Sequence, residues 1–425
     1  MSRVLIRCGR LIDGHGGAPR SDMGVLLHGE LITEVAPWPD FATVSADVLD
    51  LRGSTVTPGF IDAHVHLLYT GDHDHESTRS AAEGATAAQH ALQAASSALQ
   101  CLLGGVTTVR DCGDIGFVTL DFRDAVDAGL VPGPRVLAAG PPLTTTNGHL
   151  HWCGNVADTV DELRASTEAM CTRGVDLVKV MASGGNMTRE SNKLLPQFET
   201  EEIAAVVQEA HRRGRRVAAH ALNTEAIRRA VAGGVDTVEH CIWVDRDGNP
   251  DLDASVVERM AIGPTSATIT MAGISRALLP WFGDLPDVER EAARAMSRTG
   301  DLYQDHDWAR AMHAAGVPLV LASDAGVRFT PFSQFTQTLE CGIHALGVSA
   351  SVAISMATMH AAQALGIADR VGTVEPGMTA DLTVLDGHIE ESTTRLGSVL
   401  QVWRHGRRVV DDHRLVTLAD HHWGN

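Results

Sequence analysis

The chain has 425 residues, with 34 basic against 53 acidic side chains, a formal net charge of −19 and 44% hydrophobic residues. A protein this acidic is repelled by nucleic acid and by anionic membrane surfaces, which excludes both as expected partners. Seven cysteines at irregular spacing, with no CxxC among them, exclude a disulfide framework and a zinc ribbon.

The start, MSRVLIRCGRLIDG, lacks a long apolar run, and no stretch of about 18 apolar residues follows, so a cytoplasmic protein is expected. The first 57 residues read as short strands and turns: VLIRCGRLIDG alternates, and GVLLHGELITEVAP forms a hairpin pattern. The middle of the chain then changes texture. Short apolar, β-branched runs end on polar residues: VTPGFIDAHVH, GVTTVRDCG, PRVLAAG, VDLVKVMASGG, RRVAAHA, VDTVEH, AIGPTSAT and VPLVLASDAG. Helical patterns such as TEEIAAVVQEAHRRG and NTEAIRRAVAGG lie between them, with Thr or Asn near the start and Gly at the stop. From about residue 368 the strand texture returns in GTVEPGMTADLTVLDG and SVLQVWRHGRRVV. This is an α/β pattern: a (β/α)8 TIM barrel over 58–367, with a small β-sandwich domain built from 1–57 plus 368–425. A doubly wound sheet is disfavoured because no GxGxxG follows the first strand.

In such a barrel the chemistry gathers at the strand C-termini. The polar residues there are His64, His66, Lys179, His220, His240 and Asp324, an inventory of nitrogen and oxygen metal ligands. His64 and His66, two apart on a strand, share a face, whereas His73 and His75 fall in the polar stretch TGDHDHES. Taken alone, His220 or His240 reads as a satisfied core or rim histidine and Asp324 as a helix cap. Their joint placement on separate strands is what points to a site. Lys179, one of only two lysines, sits inside an apolar strand, where an unpaired ammonium is costly. Its bland reading is an ion-paired barrel lysine. Beside metal ions, an amine that has taken up CO2 becomes an anionic carbamate able to bridge them.

PGFIDAHVH, the fourth-strand lysine, AAHA, VEHC and LASDAG occur in an order that resembles the amidohydrolase superfamily of metal-dependent hydrolases. VKVMASGGNMT followed by VEHC looks closest to its branch of Xaa-Pro dipeptidases and N-acyl amino acid hydrolases. The resemblance implies two divalent metal ions, zinc first, with manganese, cobalt or iron compatible. His64, His66 and Asp324 bind the first ion, His220 and His240 the second, and a CO2-derived carbamate on Lys179 bridges both. A bridging hydroxide attacks the substrate, and Asp324 serves as general acid and base. His149, in TTTNGHLHW, matches the family's substrate-contacting histidine, with His151 two positions away as the alternative. The branch's tyrosine after the sixth-strand His is replaced here by Trp243, in HCIWVD.

The expected activity is therefore hydrolysis of an amide bond in a small molecule, an N-acyl amino acid or dipeptide. Arg328 or Arg189 is a candidate partner for the substrate carboxylate, each with a surface arginine as its bland reading. A cyclic amidase of hydantoin or lactam type is the alternative. A deaminase is disfavoured by the fourth-strand lysine and by His220-Ala221-Leu222-Asn223, which lacks a Glu three residues after the His. A non-catalytic homologue is disfavoured because no ligand is missing. A homo-oligomer is expected, and 269–305 reads as either a lid or an ordinary helical excursion.

Overall fold

The structure, a computed structural model, describes residues 3–71, 74–270, 307–328, 330–389, 396 and 398–416. The chain opens with β1 (Arg3–Leu11), β2 (Arg20–His28), β3 (Leu31–Pro37) and β4 (Asp47–Pro58). Eight strands follow that coincide with the eight apolar runs. They are β5 (Phe60–Val65), β6 (Val106–Asp111), β7 (Arg135–Ala138), β8 (Leu177–Met181), β9 (Arg216–Ala221), β10 (Thr237–His240), β11 (Ser266–Thr270) and β12 (Leu319–Ala322). The tail adds β13 (Leu382–Asp386), β14 (Val399–Arg404), β15 (Arg407–Asp411) and β16 (Arg414–Leu415).

The two ends, expected to build a sandwich, are hydrogen-bonded as one continuous eight-stranded sheet in the order β16-β15-β14-β13-β4-β1-β2-β3. β13 lies antiparallel to β4, with Leu385 opposite Thr55. Four strands from each end join in this one sheet, so the two ends share one buried face. Ile6, Val25, Leu27, Val56, Leu382 and Val384 from both ends make one core.

Strands β5–β12 pair in parallel in two arcs, β5-β6-β7 and β8-β9-β10-β11-β12. Single parallel bridges join the arcs at two seams, Val65 to Ala325 and Leu143 to Val180. At the first seam the Asp324 N–H donates to the His64 carbonyl at 2.9 Å; at the second the Leu143 N–H donates to the Lys179 carbonyl at 2.8 Å. Both seams therefore run beside residues singled out as ligands.

The helices between the strands follow local rules. In Thr200–Arg212, Ile203, Val206, Val207 and Ala210 form a buried stripe at helical spacing. Each large apolar side chain so buried contributes about 1.5–3 kcal/mol. The helix opens with Glu202 accepting from the Glu199 N–H at 2.7 Å. Thr224–Gly233 starts on Asn223, whose side chain accepts from the Ala226 N–H, and stops at Gly234 with φ 87°. All seven cysteines are free. Among the described residues no single helix is long and apolar enough to cross a membrane. Of the segment 269–305 read as a lid, all but Ile269 and Thr270 lies outside the described residues.

Candidate metal centre

The strand ends aim their polar side chains into one cavity, lined among others by His64, His66, His149, Lys179, His220, His240, Asp324 and Arg328. Two of these residues need unusual backbone to do so. His240 and Asp324 have φ of 64° and 60°, left-handed values that turn each side chain off the regular strand path.

At the β5 end, His64 Nε2 and His66 Nε2 face Asp324 Oδ1 at 3.5 and 3.6 Å. His66 Nδ1 lies 3.3 Å from the Gly113 carbonyl, which can only accept, so Nδ1 carries the proton and Nε2 a lone pair. His64 Nδ1 lies 2.7 Å from Glu239 Oε2, with the same consequence where that carboxylate is ionised. Asp324 Oδ1 is buried with no hydrogen-bond partner among the described residues. The two imidazole lone pairs and the Asp324 carboxyl oxygen thus converge, and these ligand atoms all lie within 4.8 Å of one another. A cation fits that arrangement.

A second pair of imidazoles adjoins the first. The ring centroids of His64 and His240 are 4.8 Å apart, and those of His220 and His240 are 4.6 Å apart. His220 Nε2 donates to the Gly184 carbonyl at 3.2 Å, which leaves Nδ1 unprotonated. Lys179 lines the same cavity, fully buried, its Nζ without a hydrogen-bond partner among the described residues.

Burial pushes every one of these imidazoles well below the ordinary histidine value, with the Lys179 cation among the further causes; His66 is pushed down to about 3. The rings are therefore neutral at pH 7, the state in which imidazole binds a metal. Burial pushes the Asp324 carboxyl up to about 7; the Lys179 cation opposes this, and Asp62 and Glu239 add to it.

The substrate-side residues divide. His149 lines the cavity and its ring lies 4.6 Å from that of His220. Gly185 admits it, since a Cβ there would come within 2.4 Å of His149 Nε2, and the Gln197 side chain holds the His149 N–H at 2.6 Å. His151 does not line the cavity; its ring is 4.0 Å from Glu190. Trp243, expected near the substrate, is not among the residues that line this cavity: it is buried and donates its indole N–H to Met312 Sδ at 3.1 Å. Arg328 stands on the cavity wall, whereas Arg189 is exposed and outside it.

Two participants were passed over in the sequence. Glu239, one residue before a candidate ligand, and Arg110 of β6 are both buried beneath the site and joined at 2.6 Å. Burial pushes the Glu239 carboxyl up, but the Arg110 and Lys179 cations outweigh it and leave the group below the ordinary carboxylate range.

Parallel strands whose carboxyl ends present converging imidazoles and a carboxylate define a class, α/β proteins with a candidate cation site at the strand ends. Within it, the chain belongs to the amidohydrolase family, whose family model matches residues 55–409. That is a family of metal-dependent hydrolases acting on carbon–nitrogen bonds. Ochratoxinase from Aspergillus niger is 27% identical over 271 residues, 57% of this chain and 55% of that protein. The match thus spans about half the length of that relative. Imidazolonepropionase from Geobacillus kaustophilus is 25% identical over 417 residues, 86% of this chain and 85% of the relative. A crystal structure of a Xaa-Pro dipeptidase with methionine bound in its active site is similar at TM-score 0.80 and 28% identity, covering 95% of this chain and 99% of that one.

Proposed function

We propose that this chain is a binuclear metal-dependent hydrolase that cleaves an amide bond in a small molecule, an N-acyl amino acid or dipeptide with a free carboxylate. The observation that carries the reading is the convergence of His64, His66 and Asp324 ligand atoms in a cavity that a buried Lys179, its Nζ without a hydrogen-bond partner among the described residues, and two further imidazoles also line. The proposed barrel spans 58–367, and the sheet made by 1–57 and 368–425 is a separate unit beside it.

His64, His66 and Asp324 hold one ion and His220 and His240 the other, zinc before manganese, cobalt or iron. A lysine ammonium between two dications is electrostatically untenable. Its amine would instead add to CO2, forming one N–C bond at the expense of one C=O π bond and releasing one proton, and the carbamate would supply two oxygen ligands. When bound, such ions polarise the scissile carbonyl and lower the pKa of water towards neutrality. Asp324 accepts the proton of the attacking water and returns it to the leaving nitrogen, which departs as an amine rather than an amide anion. His149 donates to the developing oxyanion. Arg328 pairs with the substrate carboxylate, and Leu150, Met181, Met187, Leu222 and Val327 give the cavity its apolar wall. The amino acid bound in the dipeptidase relative supports a carboxylate-bearing substrate. The imidazolonepropionase match, which covers more of both chains than the ochratoxinase match, favours a second reading, a cyclic amide.

Elemental analysis of protein purified without chelator tests the centre: two divalent ions per chain are expected. Activity retained with far less than one ion per chain overturns the reading. Arg328→Met tests the substrate class. A charge-assisted hydrogen bond is worth roughly 1.5–3 kcal/mol, so KM for N-acyl amino acids should rise about 10- to 100-fold with kcat nearly unchanged. Amidated counterparts should be spared. An equal effect on both, or faster wild-type turnover of cyclic ureides, moves the assignment to the cyclic amide.

A further inference from the structure

Beneath the candidate metal centre lies a closed polar network that the proposed mechanism does not use. Arg110 Nε donates to the Ala63 carbonyl at 2.6 Å, Nη1 to Thr237 Oγ1 at 3.0 Å and Nη2 to Glu239 Oε1 at 2.6 Å. The Thr237 hydroxyl, having accepted from Arg110, donates to the same Glu239 oxygen. Arg110 and Glu239 are both almost fully buried, so neither charge has water to turn to. Both hydrogen-bond partners of Glu239 Oε1 among the described residues are thus donors, and the second oxygen, Oε2, faces His64 Nδ1 at 2.7 Å. A carboxylate only accepts, so the ring must place its single proton on Nδ1.

We infer that Glu239, held in place by Arg110 and Thr237, is a positioning residue that fixes His64 in the Nδ1–H tautomer and aims its Nε2 lone pair at the Asp324 side of the cavity. The inference rests on the reading of His64 as a metal ligand. Three features support it. The network reaches His64 from the side opposite Asp324, as a partner of the other ring nitrogen must. It joins three strands: Arg110 from β6, Thr237 and Glu239 from β10, and His64 from β5. It also differs from the arrangement at His66, where a neutral backbone carbonyl accepts from Nδ1 at 3.3 Å. A carboxylate on Nδ1 strengthens the donor nitrogen more than a carbonyl does, and loss of such a partner costs roughly 10- to 100-fold in metal affinity. Glu239 and its neighbour His240 thereby serve the site from opposite sides, the first through a ligand's far nitrogen and the second as a proposed ligand itself.

The test compares full-length wild type, Glu239→Gln and the double variant Arg110→Met/Glu239→Leu. The double variant removes both buried charges together, the replacement that proteins tolerate best. Two measurements are read on each: zinc affinity by competition with a chelator, and the imidazole nitrogen resonances of nitrogen-labelled histidine after zinc is stripped. In wild type, one ring should show a protonated Nδ1 in a strong hydrogen bond and an unprotonated Nε2. In the double variant that signature should vanish and the tighter zinc site should weaken by about 10- to 100-fold, the two ions no longer binding together. Glu239→Gln, which keeps the shape and an acceptor oxygen but loses the charge, should fall between, and it carries the test should the double variant fail to accumulate. A lower melting temperature with unchanged imidazole signals and unchanged zinc affinity in either variant overturns the inference and leaves a structural ion pair. Should wild type bind no zinc while the double variant still loses the Nδ1–H signature, the positioning of His64 stands and the metal-centre reading falls.

Discussion

Lys179→Ala is expected to abolish activity and to leave the chain unable to hold two ions. The side chain is fully buried and its Nζ has no hydrogen-bond partner among the described residues, although the carboxyls of Glu239, Asp111 and Asp324 feel its charge. A buried ammonium without hydrogen bonds is among the costlier features a core can carry. It is retained, on the proposed reading, because the amine becomes a bridging carbamate. Removing the bridge removes two oxygens from the pair and leaves the second ion with His220 and His240. Metal-assisted polarisation supplies several kcal/mol, and each 1.36 kcal/mol is tenfold in rate, so a loss of about 10³-fold or more is expected. Acetate or propionate, small enough to enter the space vacated by the butylamine chain, should restore a measurable fraction of rate and of metal content. The direct check is labelled CO2 given to wild type: a carbamate carbon resonance should appear with metal and be absent from the variant. A variant with full activity, or a metal-loaded wild type carrying an unmodified amine, refutes the assignment.

The strand framework was legible because barrel strands are short, β-branched and bounded by polar residues, and β5–β12 fall where those runs stand. The residues that line the cavity were legible for a related reason. His64 and His66 keep the period of two, Lys179 interrupts the apolar run of β8, His220 and His240 stand at the ends of β9 and β10 to within a residue, and Asp324 follows β12 by two. What was not legible depends on backbone that departs from that period. Strict alternation puts Glu239 and His240 on opposite faces of β10, so a reading that takes His240 inward discards Glu239. In the structure His240 has φ 64°, which breaks the alternation and lets both serve the interior.

The same limit explains His149 and Trp243. His149 and His151 are separated by Leu150, whose φ of 56° again defeats a period-two argument. His149 reaches the cavity past Gly185, which lies on the loop after β8 and whose missing Cβ opens room for the ring. That contact joins segments 36 residues apart and leaves no local pattern. Trp243 sits just past a strand end, where rim residues usually point to the mouth. Instead its indole finds Met312 on the Asp307–Ala314 helix, a partner that sequence spacing does not suggest.

Asp324→Asn is the variant that separates chemistry from architecture at this site. Asp324 occupies a left-handed position, φ 60°, which Asn tolerates better than most residues, so the exchange adds little backbone strain. The amide has nearly the same shape, and the Asp324 N–H that closes the β5–β12 seam on the His64 carbonyl is untouched. The fold should therefore survive, with circular dichroism unchanged. Proton transfer should not, because an amide neither accepts the proton of the attacking water nor returns one to the leaving nitrogen. Loss of a general acid–base group costs about 10²–10⁴-fold. Replacing a carboxylate ligand by a weaker neutral oxygen adds to that, so kcat should fall towards the upper end of the range. KM for the carboxylate-bearing substrate should change far less, since Arg328 and the apolar wall are intact. A substrate with a highly acidic leaving group, which departs without protonation, should recover part of the lost rate in the variant. Activity within tenfold of wild type, with the variant's identity verified, excludes Asp324 as the proton carrier and leaves it the lesser part of a ligand.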